Sequence, residues 1–133
     1  MPEVNYLAVA LAALSAFLLG GLWYSPMLFA NKWMALSGQS EEKLKSGNMG
    51  MIFGGAFVLA FVTAFILAML FEGRVNDVQD AASAGFGIGL GLVATSLGVS
   101  YIFERRPFGL WLINGGYFVV QFTIMGAIIG AMG

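Results

Sequence analysis

The sequence predicts an all-α membrane protein: four transmembrane helices forming an antiparallel bundle, with a tight hairpin between the third and fourth. Three observations carry this reading. The 133-residue chain is 59% hydrophobic and only 10% charged, whereas a soluble domain is about a quarter charged. Its six basic and seven acidic side chains fall in a few clusters: Glu3; Lys32; Glu41, Glu42, Lys43 and Lys45; Glu72, Arg74, Asp77 and Asp80; and Glu104, Arg105 and Arg106. Between them lie uncharged runs at 4–31, 46–71, 81–103 and 107–133. Each is long enough for one crossing of about 20 residues at about 1.5 Å rise, and none for two.

Barrel strands alternate apolar and polar residues over about ten positions. These runs are apolar on all sides, as in Phe57, Val58, Leu59, Ala60, Phe61 and Val62. In lipid an open backbone donor costs several kcal/mol, so a helix is the solution. The helices are expected at about 4–28, 47–71, 81–103 and 107–131, in one domain, with a loop at 29–46.

The first run lacks a basic leader and carries Glu3, which is not the pattern of a cleaved signal peptide. Pro26 follows Leu22, Trp23, Tyr24 and Ser25. Proline removes a helix donor and pushes Ser25 toward an extended conformation. Pro26 is therefore the expected hinge: the helix kinks or ends near 21–25 and resumes through 27–36. Residues 29–34 are amphipathic enough to lie along the interface, and Ser37 and Gly38 stop that segment. Ser40 is placed to cap a short helix at 41–45, acids first and bases last, as the helix dipole prefers. In the second loop, Asp80 is the expected cap of the third helix. Pro107 suits the first position of the fourth helix, where its missing N–H costs nothing.

Four crossings put both termini on one side. The first and third loops hold Lys32, Lys43, Lys45, Arg105 and Arg106, while the second holds Arg74 alone. The positive-inside rule then makes loops 29–46 and 104–107 cytoplasmic and both termini external. Trp23, Tyr24, Trp33, Tyr101 and Trp111 lie near the expected boundaries, where amphipathic rings favour the headgroup level.

Small residues recur at helical spacing: Ala56, Ala60, Ala64 and Ala68; then Gly85, Gly87, Gly89 and Gly91 as two overlapping faces, with Ala94 and Gly98; then Gly126 and Gly130. Such faces let helix backbones approach closely. They leave two readings open, contacts within one chain or a homo-oligomer. Gly89, Gly91 and Ala94 also fit a loose dinucleotide-binding pattern, but that pattern has meaning only in a soluble βαβ unit.

With no Cys and no His, thiolate nucleophiles, the usual zinc sites and imidazole acid–base chemistry are excluded. No catalytic residue, cofactor or metal site is expected. No basic field suits nucleic acid. No acid or base lies deep in a crossing, which argues against proton-coupled transport. The polar residues within the spans are uncharged. Asn114, Tyr117 and Gln121 share one face of the fourth helix, and Ser96 and Ser100 share one face of the third. Pairing the two faces would satisfy the amides. The alternatives are structural glue or a pocket for a neutral or lipidic ligand, closed by Trp23 and Tyr24. Lys32, Arg105 and Arg106 are the candidate contacts to lipid headgroups.

The run from Asn5 through Leu22, Trp23, Tyr24, Ser25 and Pro26, with Lys32, Trp33 and Met34, resembles the opening of an integral membrane family catalogued as domain of unknown function 1761. The later segments 101–107, 112–117 and 125–130 agree. The resemblance implies a small multi-pass membrane protein, mostly bacterial and so of the inner membrane, and implies no activity.

Three functions compete. The first is a non-enzymatic module that binds lipid or a protein partner, as a homo-oligomer. The second is a small oligomeric transporter or channel for a neutral solute. The third is an enzyme, for which the side chains offer almost nothing.

Overall fold

The computed structural model describes residues 4–40, 42, 43 and 46–132. Among them are five helices of eight residues or more and no strand: α1 (Tyr6–Trp23), α2 (Ala30–Ser37), α3 (Met49–Phe71), α4 (Val78–Glu104) and α5 (Phe108–Met132). All but α2 are long and apolar enough to cross a membrane. The outer faces match: Leu18, Leu59, Phe103 and Phe108 are each two-thirds or more exposed. A water-soluble protein does not offer so large an apolar surface.

Side-chain caps set three starts. Asn5 accepts from the N–H of Leu7 and Ala8 at 3.1 and 3.2 Å. Asn48 accepts from Met51 at 3.1 Å. Asp77 accepts from Asp80 at 2.8 Å. The last corrects the expected cap. Asp80 sits inside the first turn of α4, its carboxylate taking the backbone and side-chain N–H of Asn76 at 3.2 and 3.3 Å. The helix starts three residues before the uncharged run, because an acid in the first turn complements the positive end of the dipole.

Helix α1 ends at Trp23, inside the 21–25 stretch that Pro26 predicts and short of 28, and the chain resumes as helix at Ala30, not Met27. Pro26 has no N–H to donate. The donors after it reach back across it, Phe29 to Trp23 O at 3.2 Å and Ala30 to Ser25 O at 3.1 Å, which makes a wide turn. Gly38 ends α2 in the left-handed conformation, φ 75°. Ser40 Oγ accepts from Lys43 N at 3.1 Å; Glu41, Leu44 and Lys45 of the expected short helix lie outside the described residues. At the other tight turn, Arg105 takes φ 58°. Arg106 N donates to Tyr101 O and Arg105 N to Ile102 O, the bond pair that closes a helix through a left-handed residue. Pro107 stands one position before the expected one: its carbonyl accepts from Leu110 and Trp111, and α5 begins at Phe108.

Helix α5 is the element that α1 and α4 pack on, burying Leu110, Ile113, Phe122, Met125 and Ile129, while α3 packs chiefly on α1. The core adds Val9, Ala12 and Ala13 of α1 and Ala64, Leu67 and Phe71 of α3. Asn5 Nδ2 donates to Met132 O at 2.9 Å, joining the start of α1 to the end of α5.

Helix α4 meets α5 through small residues. A Cβ on Gly85 would strike the Phe122 carbonyl, and one on Gly89 would lie 3.0 Å from Val119 Cα. Gly98 faces the Trp111 ring. The contact row is Ala81, Gly85, Gly89, Ala94 and Gly98: steps of four, broken by one step of five. That long step spans Gly89–Ala94, where α4 is a π-helix. The second expected glycine face is unpartnered, with nothing within 4 Å of a Cβ on Gly87 or Gly91. On α3, Ala60, Ala64 and Ala68 are buried, while Ala56 is exposed.

Candidate functional site

Small side chains open a cleft of about 620 Å³ between α1 and α3, floored by α5. Ala16, Phe17, Gly20 and Gly21 form one wall, Ile52, Phe53, Ala56, Leu59 and Ala60 the other, and Tyr117, Phe118 and Gln121 the floor. On α3 the lining runs from Ile52 to Thr63, a length of about 16 Å at the helical rise. Tyr24 stands at the end nearer the α1–α2 turn; Gln121, near the middle of α5, stands at the other. No charged side chain lines it.

The hydrogen-bond donors around the cleft are spent on side-chain partners and backbone carbonyls. Tyr24 OH donates to Asn114 Oδ1 at 2.7 Å, and Asn114 Nδ2 donates to Tyr101 OH at 2.7 Å. The Arg106 guanidinium lies 5.3 Å from the Tyr101 ring centroid, and its Nε donates to Glu104 Oε1 at 3.0 Å. A relay therefore links the cleft end to the α4–α5 turn. Tyr117 OH donates to Ala16 O at 2.9 Å, and Thr63 Oγ1 to Leu59 O at 2.9 Å. Trp23 Nε1 donates to Ile113 O at 2.9 Å, with its ring over Gly116.

Gln121 differs. It is 5% exposed. Its Nε2 donates to Met125 Sδ at 3.7 Å. Its Oε1 has no partner, and it is the one such buried side-chain atom among the described residues. A thioether only accepts, so the sulfur fixes which end of the amide is nitrogen. A buried carbonyl left without a donor costs about 1–3 kcal/mol.

Of the residues singled out from sequence, the structure brings together Tyr24, Tyr117 and Gln121 on the cleft, with Asn114 and Trp23 behind it. It separates Ser96 and Ser100, which are exposed on α4 and make no side-chain hydrogen bond. The five-residue step explains this: with Ala94 and Gly98 on the interface, residues two positions further on point away from α5. Trp111 takes the place expected for them, donating Nε1 to Ala94 O at 2.8 Å. Tyr101 and Thr63 were not singled out as site residues. Tyr101 follows Gly98 by three positions and faces Asn114, a relation visible only once the π step is known. Pro26 lies in the α1–α2 turn, outside the cleft lining. Lys32, Arg105 and Arg106 are exposed. No group of three Asp, Glu, His or Cys able to hold a metal occurs among the described residues.

A family model described as "Protein of unknown function (DUF1761)" matches residues 7–130. No curated protein and no solved structure matches the chain.

Proposed function

The chain belongs to the DUF1761 family, and from there we propose that it is a non-enzymatic membrane module that binds a lipid, or a protein partner, in the cleft between α1 and α3. In this reading the four long helices cross the bilayer as an antiparallel bundle, with α4 and α5 as a hairpin. Both termini are external, and loops 29–46 and 104–107 are cytoplasmic, at the inner membrane of a bacterium. Lys32, Arg105 and Arg106 then sit at the anionic headgroup level. The open Gly87 and Gly91 face supports assembly with further copies.

The cleft carries the proposal. It is apolar, uncharged and open between two lipid-facing helices, and its hydroxyl hydrogens are taken by other protein atoms. That arrangement favours a lipid over a protein partner. It also gives less support to a channel for neutral solutes, since both polar atoms of Asn114 are engaged by Tyr24 and Tyr101. The test is lipid analysis of protein purified from membranes. One lipid class should be enriched over the bulk membrane, and the enrichment should vanish in Ala56→Phe. Bulk composition in both proteins would refute the reading.

A further inference from the structure

We infer that the α4–α5 turn holds an anionic phospholipid, its phosphate on the Arg106 guanidinium and one acyl chain in the groove beside it. The inference rests on the reading of the four long helices as membrane spans, and it is independent of the cleft between α1 and α3.

The groove is apolar and open to the side. A cavity of about 280 Å³ lies between α4 and α5 next to their turn, walled by Tyr101, Ile102, Phe108 and Trp111 and reaching Gly98. Gly98 precedes the last residue of α4 by six positions, about 9 Å at the helical rise. Ile102 and Phe108 are 77% and 70% exposed, so the groove faces the hydrocarbon and not a neighbouring helix.

Arg106 stands at the turn end and is the one charged residue of the lining. Two contacts brace its guanidinium: the Tyr101 ring, with its centroid 5.3 Å away, and Glu104 Oε1, on Nε at 3.0 Å. The carboxylate takes the Nε hydrogen, and the N–H groups of Nη1 and Nη2 have no acceptor among the described residues. The side chain is 45% exposed, so an anion can reach it. A guanidinium with its outer N–H groups free takes a phosphate through two bonds at once.

The start of α5 adds to the attraction. Phe108, on the groove wall, is its first residue. The first N–H groups of a helix have no partner within it and form the positive end of its dipole. No acid stands in that turn. The loop before it sets Arg105 and Arg106 against Glu104 alone.

The cation and the groove together select the ligand. A free phosphate gains nothing from Ile102, Phe108 and Trp111. A zwitterionic lipid brings an ammonium to a turn that is already net positive. An anionic lipid answers both parts of the site, with charge at the turn and hydrocarbon below it.

The test is quenching of tryptophan fluorescence in phosphatidylcholine vesicles with a minor share of phosphatidylglycerol. Bromine is placed on the acyl chains of one lipid or the other, in equal amount. Trp111 lines the groove, so a brominated chain lodged there quenches it. Brominated phosphatidylglycerol is expected to quench as though enriched about fivefold, the worth of one cation at the membrane surface. The excess should vanish in Trp111→Phe and in Arg106→Gln. It should largely survive in Arg105→Gln, whose side chain lies outside the lining. Equal quenching by the two lipids on the unaltered protein overturns the inference, and that comparison needs no variant to fold. Equal loss in the two arginine variants also overturns it, because the attraction is then diffuse surface charge. So does displacement of the lipid by inorganic phosphate beyond that by chloride at equal ionic strength, which makes the site one for a free anion. These outcomes leave the α1–α3 cleft untouched. No quenching by any brominated lipid would bring down the spanning reading, and this inference with it.

Discussion

Trp111 Nε1 donates to the Ala94 carbonyl at 2.8 Å, at the last residue of the π segment in α4. One indole thus holds α5 against α4 where the helix changes register. Its ring also fills the notch left by Gly98 and Gly115.

Replacing Trp111 with Phe keeps most of the ring and removes the donor. We expect a loss of about 1 kcal/mol in unfolding by sodium dodecyl sulfate. Gly98→Leu adds a side chain where Trp111 Nε1 lies 3.0 Å from the Cβ position, and should cost more, about 1–3 kcal/mol.

The two glycine faces of α4 give a sharper contrast. Gly85→Ala puts a methyl into the Phe122 carbonyl, backbone that cannot give way cheaply. It should lower stability by about 1–3 kcal/mol or prevent folding. Gly87→Ala meets nothing within 4 Å and should leave monomer stability unchanged or slightly raised, since alanine favours helix. Equal effects of the two would contradict the packing described.

The relay from Tyr24 through Asn114 to Tyr101 can be measured by a double-mutant cycle. Tyr24→Phe and Asn114→Ala should couple by about 0.6 kcal/mol, the typical worth of a hydrogen bond between membrane helices. Tyr6→Phe, on the far side of the bundle, should not couple with Asn114→Ala.

In the absence of ligand, Gln121→Leu should stabilise the chain by about 1 kcal/mol, because it removes an unpartnered buried carbonyl and keeps the volume. Thermal unfolding of delipidated protein is the measurement.

Topology follows from charge. Alkaline phosphatase fused after residue 132 should be active, and a fluorescent protein inserted at 104–107 should glow in the cytoplasm. Replacing Arg105 and Arg106 with Gln should weaken that orientation. Arg105→Gly alone should not harm the turn, since glycine accepts φ 58° without the strain that arginine bears there.

The long helices are legible in the sequence because the charges mark where the chain leaves the apolar phase. Pro26, Gly38 and Pro107 mark breaks for local backbone reasons, and the structure moves each neighbouring boundary by only a few residues. Helix α4 is where pattern reading fails. Counting by an unbroken helical period puts Ser96 and Ser100 opposite Asn114, and a single π turn rotates them away. Nothing in Gly89, Leu90, Gly91 and Leu92 announces that turn by composition, because it depends on how Gly89 and Ala94 both seat on α5. Gln121 is readable as a residue that must face protein. That its oxygen lacks a partner is not readable, because the cleft forms only where three separate helices leave room.

Helix α5 emerges from the ribosome after α1, α3 and α4, yet it is the surface on which α1 and α4 close. During translation the earlier segments have only each other, and Ala81, Gly85 and Gly89 have no backbone to meet. Seating of α4 therefore waits for α5, and the Asn5 to Met132 bond is a latch that closes only once α5 has been made.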